Sequence, residues 1–140
     1  MPTIFTRIID GELPGTFVWR DDVCVAFLSI APLRPGHTLV VPRAEVDHWI
    51  DLPAETNAHL IGVAQAIGAA QMDAFSPARV GLIIAGLEVP HTHLHLVPID
   101  AERDLSFANA DPSATPEDLA DAGTRLRAAL TARGATGVSG

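Results

Sequence analysis

The chain has 140 residues, of which 48% are hydrophobic and 19% are charged. This length suits one domain with its own hydrophobic core, and the apolar content excludes an intrinsically disordered protein. Seventeen acidic residues against nine basic ones, all arginine, give a net charge of −8. That charge disfavours a general nucleic-acid-binding protein, because such proteins usually carry a basic face. No apolar run reaches the ~20 residues that span a bilayer, so we expect no membrane partner.

The first part of the sequence predicts one short helix and three strands. Residues 4–9 are mostly apolar and precede a turn rich in Gly and Pro, which is typical of a short helix that ends there. Residues 16–20 and 23–28 are β-branched and aromatic runs on either side of Asp21-Asp22, and they predict a hairpin. Residues 37–42 predict a third strand that ends at its proline.

The second part predicts a long helix from about residue 54 to 74, with apolar side chains at helical spacing. Residues 79–85 are nearly all apolar, so we expect a fourth strand at the centre of the sheet, and residues 91–97 predict a fifth. Thr115-Pro116-Glu117-Asp118 is typical of a helix start, and this helix should run to about residue 133. The pattern predicts an α+β fold, with a domain core over 1–99 and a C-terminal extension over 100–140 whose end is flexible.

Three of the six histidines lie in one run, His91-Thr92-His93-Leu94-His95-Leu96-Val97-Pro98. Side chains alternate along a strand, so we expect His91, His93 and His95 to share one face of the fifth strand. Imidazoles at this spacing suit two chemistries. They could ligate a transition metal, or a neutral imidazole could attack phosphorus while its neighbours bind phosphoryl oxygens and assist the leaving group.

The run resembles the His-φ-His-φ-His-φ-φ signature of the histidine triad (HIT) family of nucleotide hydrolases and transferases, where φ is an apolar residue. Two upstream segments are also similar to the family pattern, namely residues 4–14 and residues 26–42. The resemblance covers residues 4–98, about two thirds of the chain. It implies a HIT-like fold and a homodimer. The single cysteine, Cys24, cannot form an internal disulfide, so we expect a location in the reducing cytoplasm.

The resemblance implies a two-step reaction on a purine nucleotide or nucleotide conjugate. His93 would be the nucleophile, His95 would contact the phosphate or the leaving group, His91 would orient the site, and His37 corresponds to an additional upstream histidine. The apolar nucleoside pocket would be formed by Ile4, Phe5, Ile8, Phe27 and Ile30. The backbone N–H of Val89 would hold a phosphate oxygen. Substrates would be phosphoramidates, dinucleoside polyphosphates or similar compounds, and no cofactor would be required.

The chain departs from the family pattern at residues that recognise substrate. Ser29 replaces the ribose-binding Asp, Leu87 replaces a Gln, and Glu88 replaces a Ser or Thr. Zinc-containing relatives carry Cys-x-x-Cys where this chain has Thr3-Ile4-Phe5-Thr6, so we expect no structural zinc. Two alternatives remain at this point. The protein could bind or sense nucleotides with little turnover, or it could be a metal-dependent enzyme that uses the three histidines as ligands.

Overall fold

The central feature of the fold is a five-stranded antiparallel sheet. A computed structural model describes all 140 residues of the chain. The strands, in chain order, are β1 (Phe17–Arg20), β2 (Cys24–Leu28), β3 (Thr38–Pro42), β4 (Arg79–Ile83) and β5 (Leu94–Ile99). Their order in the sheet is β1-β2-β3-β5-β4, and every neighbouring pair is antiparallel. The predicted α+β fold is confirmed.

Three α-helices accompany the sheet: α1 (Ile4–Ile9), α2 (Ala54–Phe75) and α3 (Pro116–Ala132). The hydroxyl of Thr3 accepts from the N–H of Thr6 and caps α1. Thr115 and Asp118 form a capping box at the start of α3, as the sequence predicts. Short 3-10 helices lie at Trp49–Asp51, Glu102–Leu105 and Phe107–Asn109. None of the helices is both long enough and apolar enough to cross a membrane.

The main core joins helices α2 and α3 to the sheet. Leu60 and Ile67 of α2 and Leu126 and Leu130 of α3 are fully buried in one apolar cluster that also contains Val18 of β1. Each fully buried side chain of this kind stabilises the fold by about 1.5–3 kcal/mol. The C-terminal helix therefore shares the core of the sheet, while the division of the chain at residue 99 stays a prediction.

A second apolar cluster joins helix α1 to β1, β2 and β3. It contains Phe5, Phe17, Val25, Phe27, Leu39 and Val41. Because strand side chains alternate, these strands direct one set of residues into this cluster and the other set into the main core. Helix α1 is held in place through Phe5, whose ring lies 5.7 Å from that of Phe27.

The predicted central position of the fourth strand is wrong, because β4 forms one edge of the sheet. Its apolar composition suggested burial on both faces. In the structure Arg79 and Leu82 are exposed, with 45% of Leu82 accessible. The strand pairs with β5 on one side only, so its other edge offers unpaired backbone groups.

The predicted start of the fifth strand is also wrong, since β5 begins at Leu94 rather than at His91. The last pair between β3 and β5 joins Val40 to Leu94. The residues before Leu94 bond to a loop instead of to β3. The N–H and the hydroxyl of Thr92 both donate to the carbonyl of Val46 in that loop. Only His95 of the three histidines lies in the strand, whereas His91 and His93 precede it.

The loop before β3 is fixed from the core. Gly36 has a φ of +90°, a left-handed conformation that favours glycine. The buried amide of Gln71 donates to the carbonyl oxygens of Gly36 and Leu96, both at 3.0 Å. This pair of bonds ties helix α2 to the loop and to β5, and so fixes His37, the next residue, beside His95.

Candidate active site

His91 is fully buried, and its ring connects neighbouring segments of the chain rather than lining the site. Its Nε2 lies 2.7 Å from the carbonyl oxygen of Pro42, and its Nδ1 lies 2.7 Å from the hydroxyl of Thr3. A carbonyl can only accept, so Nε2 carries the proton and Nδ1 accepts from the hydroxyl. Both ring nitrogens are therefore committed, and they connect β3 to the residue that caps helix α1.

The ring of His93 is oriented by the backbone of His91. Its Nδ1 lies 2.7 Å from the carbonyl oxygen of His91. Nδ1 must therefore donate, and the neutral ring keeps an unprotonated Nε2 with a lone pair. The ring is 6% exposed, and it packs edge-on against Phe5 on one side and His95 on the other, each at 4.8 Å between ring centroids.

His37 and His95 form a chain of hydrogen bonds with a defined direction. The N–H of Leu33 donates to Nδ1 of His37 at 3.0 Å. Nε2 of His37 therefore carries the proton of the neutral ring, and it lies 2.9 Å from Nδ1 of His95. Nδ1 of His95 accepts, so the neutral His95 carries its own proton on Nε2. The site thus pairs a lone pair on His93 with an N–H donor on His95.

The rings of His93 and His95 lie at a cleft of about 290 Å³, which we name the triad cleft. Its volume is close to the lower end of the range for small-molecule sites. Four of the predicted site residues line it together with the two rings: His37, Ser29, Leu87 and Glu88. The other lining residues are Ala31, Leu33, Ala85, Gly86, Phe107 and Ala110.

The residues predicted for the nucleoside pocket are divided between core and surface. Phe5 and Phe27 are buried in the cluster beneath His93, and Ile8 packs against it. Val89, predicted to hold a phosphate oxygen through its N–H, packs against the same cluster. Ile4 and Ile30 are exposed, with 74% of Ile30 accessible. None of these residues lines the triad cleft. The nucleoside pocket at these residues stays a prediction.

Several contributors to the site carry no signal of their own in the sequence pattern. The carbonyl of Pro42 and the N–H of Leu33 set ring tautomers, and backbone groups leave no trace in a residue pattern. Phe107 of the C-terminal extension contacts His95, with 5.1 Å between ring centroids. Its segment has no motif, so only the tertiary structure could identify it.

A model of the HIT domain matches residues 10–102. The chain belongs to the HIT family. An uncharacterised HIT-like protein of Mycobacterium tuberculosis is 33% identical over 135 residues, which cover 93% of this chain and 94% of that protein. The adenylylsulfatase HINT3 of Arabidopsis thaliana is 30% identical over 111 residues, covering 76% of this chain and 56% of that protein.

Solved structures of HIT proteins share the fold. A zinc-bound histidine triad family protein from Mycobacterium smegmatis has a TM-score of 0.81 and 31% identity, with 94% of each chain covered. A hypothetical histidine triad nucleotide-binding protein from Sulfolobus tokodaii has a TM-score of 0.80 and 26% identity, with 91% of each chain covered. The chain is thus a HIT protein with the nucleotide-binding fold of that family.

The N-terminal segment of this HIT protein does not fit a zinc site. Thr3 and Thr6 stand where zinc-containing relatives carry cysteines, and neutral hydroxyls are poor substitutes for the thiolates and imidazoles that zinc prefers. The Thr3 hydroxyl instead bonds to His91, and the Thr3 N–H donates to a carboxylate oxygen of Glu45 at 2.7 Å.

Burial lowers the pKa of three site histidines, His37, His93 and His95. It lowers the pKa of His37 to about 3, with further lowering by the charges that His95 and His93 would carry. Burial and the neighbouring His93 lower the pKa of His95 to about 4. Burial also lowers the pKa of His93, against the opposing effects of the His91 carbonyl and the Glu88 carboxylate. The lowered pKa of His93 favours the neutral ring, which keeps its lone pair on Nε2.

The lowered pKa of His37 makes the stability of the protein depend on pH. Below the ordinary value of 6.5 the unfolded chain binds a proton at this ring, whereas the folded chain does not until about pH 3. The free energy of unfolding should therefore fall as pH drops from about 6.5 to 4, by up to about 1.4 kcal/mol per pH unit for this residue. Above 6.5 the ring is neutral in both states and contributes no slope.

Urea unfolding at pH 7.5, 6 and 5 checks this for the wild type and for His37→Gln, with His48→Gln as an exposed control. We expect the free energy of unfolding to change with pH by the same slope in the wild type and the control. His37→Gln should show a shallower slope. Equal slopes in all three proteins would show that His37 is not held neutral by the fold.

Proposed function

We propose that this HIT protein is a nucleotide hydrolase or nucleotidyltransferase that acts at the α-phosphate of a nucleoside phosphate derivative. The supporting observation is the pair of opposite tautomers at the triad cleft. His93 offers an unprotonated Nε2, and His95 offers an N–H at the corresponding position. A nucleophile beside a hydrogen-bond donor is the arrangement that covalent catalysis requires.

In the first step, the Nε2 lone pair of His93 forms a bond to the α-phosphorus. The bond from phosphorus to the leaving group breaks, and the leaving group departs with the electron pair and takes a proton from water. The N–H of His95 donates a hydrogen bond to the group on which negative charge develops. The ring of His93 is then an imidazolium, with phosphorus on Nε2 and hydrogen on Nδ1. The carbonyl of His91, 2.7 Å from Nδ1, stabilises this positive charge.

In the second step, water or another acceptor attacks the phosphorus. The bond to Nε2 breaks, and its electron pair returns to His93, which regains the starting tautomer because Nδ1 has kept its hydrogen bond throughout. The acceptor releases its proton to solvent. Neither step needs a cofactor. The use of the three histidines as a metal site is disfavoured, because both nitrogens of His91 are held by protein groups.

The substrate class rests on the family and on the cleft. The family resemblance implies a purine nucleoside monophosphate joined to a leaving group through P–N or P–O, and the name of the Arabidopsis relative, an adenylylsulfatase, supports an adenylyl compound. Ser29 lines the cleft, where its hydroxyl can bond to a ribose more weakly than a carboxylate would.

A second candidate function is nucleotide binding with little turnover. It is favoured by Glu88, which lines the cleft and lies close enough to His93 to affect its pKa. The negative charge of this carboxylate beside His93 repels an approaching phosphate. Turnover in the wild type separates the two functions.

The direct test is His93→Ala with a fluorogenic adenylated substrate. We expect a loss of about 10³-fold or more in turnover, because no other group offers a lone pair to the α-phosphorus. Mass spectrometry of rapidly quenched wild-type protein should detect an adenylylated peptide that contains His93. His48→Ala, an exposed histidine, is the control and should retain full activity. Equal turnover in His93→Ala and wild type would refute the proposal.

We also propose that a second copy of the chain packs against the β4 edge. The family resemblance implies a homodimer, and β4 offers an unpaired edge with the exposed side chain of Leu82. Exposed apolar edges promote association with another chain. No lysine or proline blocks this edge, since β4 reads Arg-Val-Gly-Leu-Ile.

Light scattering coupled to size exclusion should give twice the mass of the 14.8 kDa chain. Leu82→Arg should shift the protein towards the single-chain mass, because a charge at the interface would lose its hydration. Ile50→Arg, which is also exposed, is the matched control. A wild-type mass of one chain, or a Leu82→Arg protein that remains a dimer, would contradict this interface.

A further inference from the structure

The triad cleft receives one wall from the C-terminal extension. Phe107 and Ala110 line it, although they lie beyond residue 102, where the match to the family's domain ends. Half of the Phe107 side chain is exposed, and its ring packs edge-on against His95. An aromatic ring that is half open to a cleft and half in contact with a site histidine is placed to contact a bound molecule.

The segment that carries Phe107 is firmly attached to the sheet. Leu105 packs against a small cluster of Leu33, Val97 and Ile99, and it covers Gly81 of β4, where a Cβ would lie 2.6 Å from a Leu105 methyl. The carboxylate of Asp104 pairs with Arg34 at 2.6 Å. Phe107, two residues after Leu105, is therefore held at the cleft rather than placed there by a loose tail.

The order of the rings assigns Phe107 to one side of the reaction. Phe5, His93, His95 and Phe107 form a row, with successive centroids 4.8, 4.8 and 5.1 Å apart. Phe107 is thus separated from the attacking ring by His95, the ring proposed to stabilise the departing group. Phe5, the predicted nucleoside-side residue, occupies the opposite end of the row. Phe107 accordingly lies on the leaving-group side.

The charge of the cleft restricts the leaving group further. Glu88 is the only formally charged side chain among its lining residues, and no arginine is present there. Arg34, on the loop that supplies Leu33, is paired with Asp100 and Asp104. The whole chain carries a charge of −8. A polyphosphate or sulfate leaving group would therefore meet no compensating cation.

We propose that Phe107 is a specificity-determining residue which selects leaving groups that are apolar, preferably aromatic, and without negative charge. This inference rests on the proposed function and restricts its substrate class. The ring of Phe107 offers a flat apolar surface for such a group, while Glu88 and the lack of cations disfavour anionic ones. His95 keeps the donor role already described, and Phe107 adds contact area next to it.

Three adenylated compounds with different leaving groups test the selection: the adenosine phosphoramidate of tryptamine, the unsubstituted adenosine phosphoramidate, and adenylyl sulfate. We expect wild-type kcat/KM to be highest for the tryptamine compound and lowest for adenylyl sulfate. Phe107→Ala should lower kcat/KM for the tryptamine compound about tenfold and change the value for the unsubstituted one by less than about twofold. Phe107→Leu, which keeps an apolar contact, should restore part of the loss.

Ile61→Ala is the matched control, since Ile61 is exposed to a similar extent and is not part of the cleft; it should behave as wild type. Equal losses on both phosphoramidates in Phe107→Ala would indicate a merely structural role and overturn the proposal. An unchanged tryptamine value, or a wild-type preference for adenylyl sulfate, would overturn it as well.

Calorimetry in a His93→Ala background separates this proposal from the catalytic one. In that background Phe107→Ala should weaken binding of the tryptamine compound about tenfold and leave AMP binding unchanged. If wild type and His93→Ala are equally active or both inactive, the catalytic proposal fails, and this binding difference still decides the role of Phe107. Equal binding of the tryptamine compound with and without the Phe107 ring would overturn the proposed role of Phe107.

Discussion

One hydrogen bond determines what this site can do, the bond from Nδ1 of His93 to the carbonyl oxygen of His91. It fixes the ring's tautomer, directs the lone pair of Nε2, and remains in place to stabilise the charge that forms on the ring. Because the acceptor is a backbone carbonyl, its position depends on the path of the chain through His91. The bonds from His91 to Thr3 and Pro42 set that path. The start of helix α1 and the end of β3 therefore both contribute to the aim of the nucleophile.

The four histidines of the site act as two separate pairs. His91 and His93 form the pair that prepares a nucleophile, whereas His37 and His95 form the pair that prepares a donor. In each pair, the tautomers are set by backbone groups that can only accept or only donate. The carbonyls of Pro42 and His91 set them in the first pair, and the N–H of Leu33 sets them in the second. Burial keeps His37, His93 and His95 neutral, which a lone pair on one ring beside a donor on the other requires.

The sequence predicted the element types well, because hydrophobic periodicity and turn residues are local signals. It predicted helix α1 at its observed bounds and the α3 start at Thr115-Pro116. The central position of β4 was wrong, because apolar content does not distinguish a strand buried by its own fold from one with an unpaired edge. The start of β5 was wrong because Thr92 finds its hydrogen-bond partner in a loop at Val46, a contact that strand alternation cannot reveal.

The histidines of the site were identifiable from the sequence, since their spacing and the family resemblance both point to them. The groups that orient them were not, because they are backbone atoms or residues distant in the chain, such as Thr3 and Leu33. Phe107 lies in a segment without a motif and reaches the cleft only through the packing of Leu105. Residue identity thus locates the reacting atoms, while the tertiary structure determines their protonation and their neighbours.

The tautomers themselves can be measured by long-range nitrogen–proton correlation NMR on protein with ¹⁵N-labelled histidine at pH 7. The bonds described here require His93 to carry its proton on Nδ1 with an unprotonated Nε2, and His95 to show the opposite arrangement. Assignment follows from the loss of each signal set in His93→Ala and His95→Ala. A His93 ring protonated at Nε2, or doubly protonated at pH 7, would leave no lone pair for phosphorus and would contradict the account.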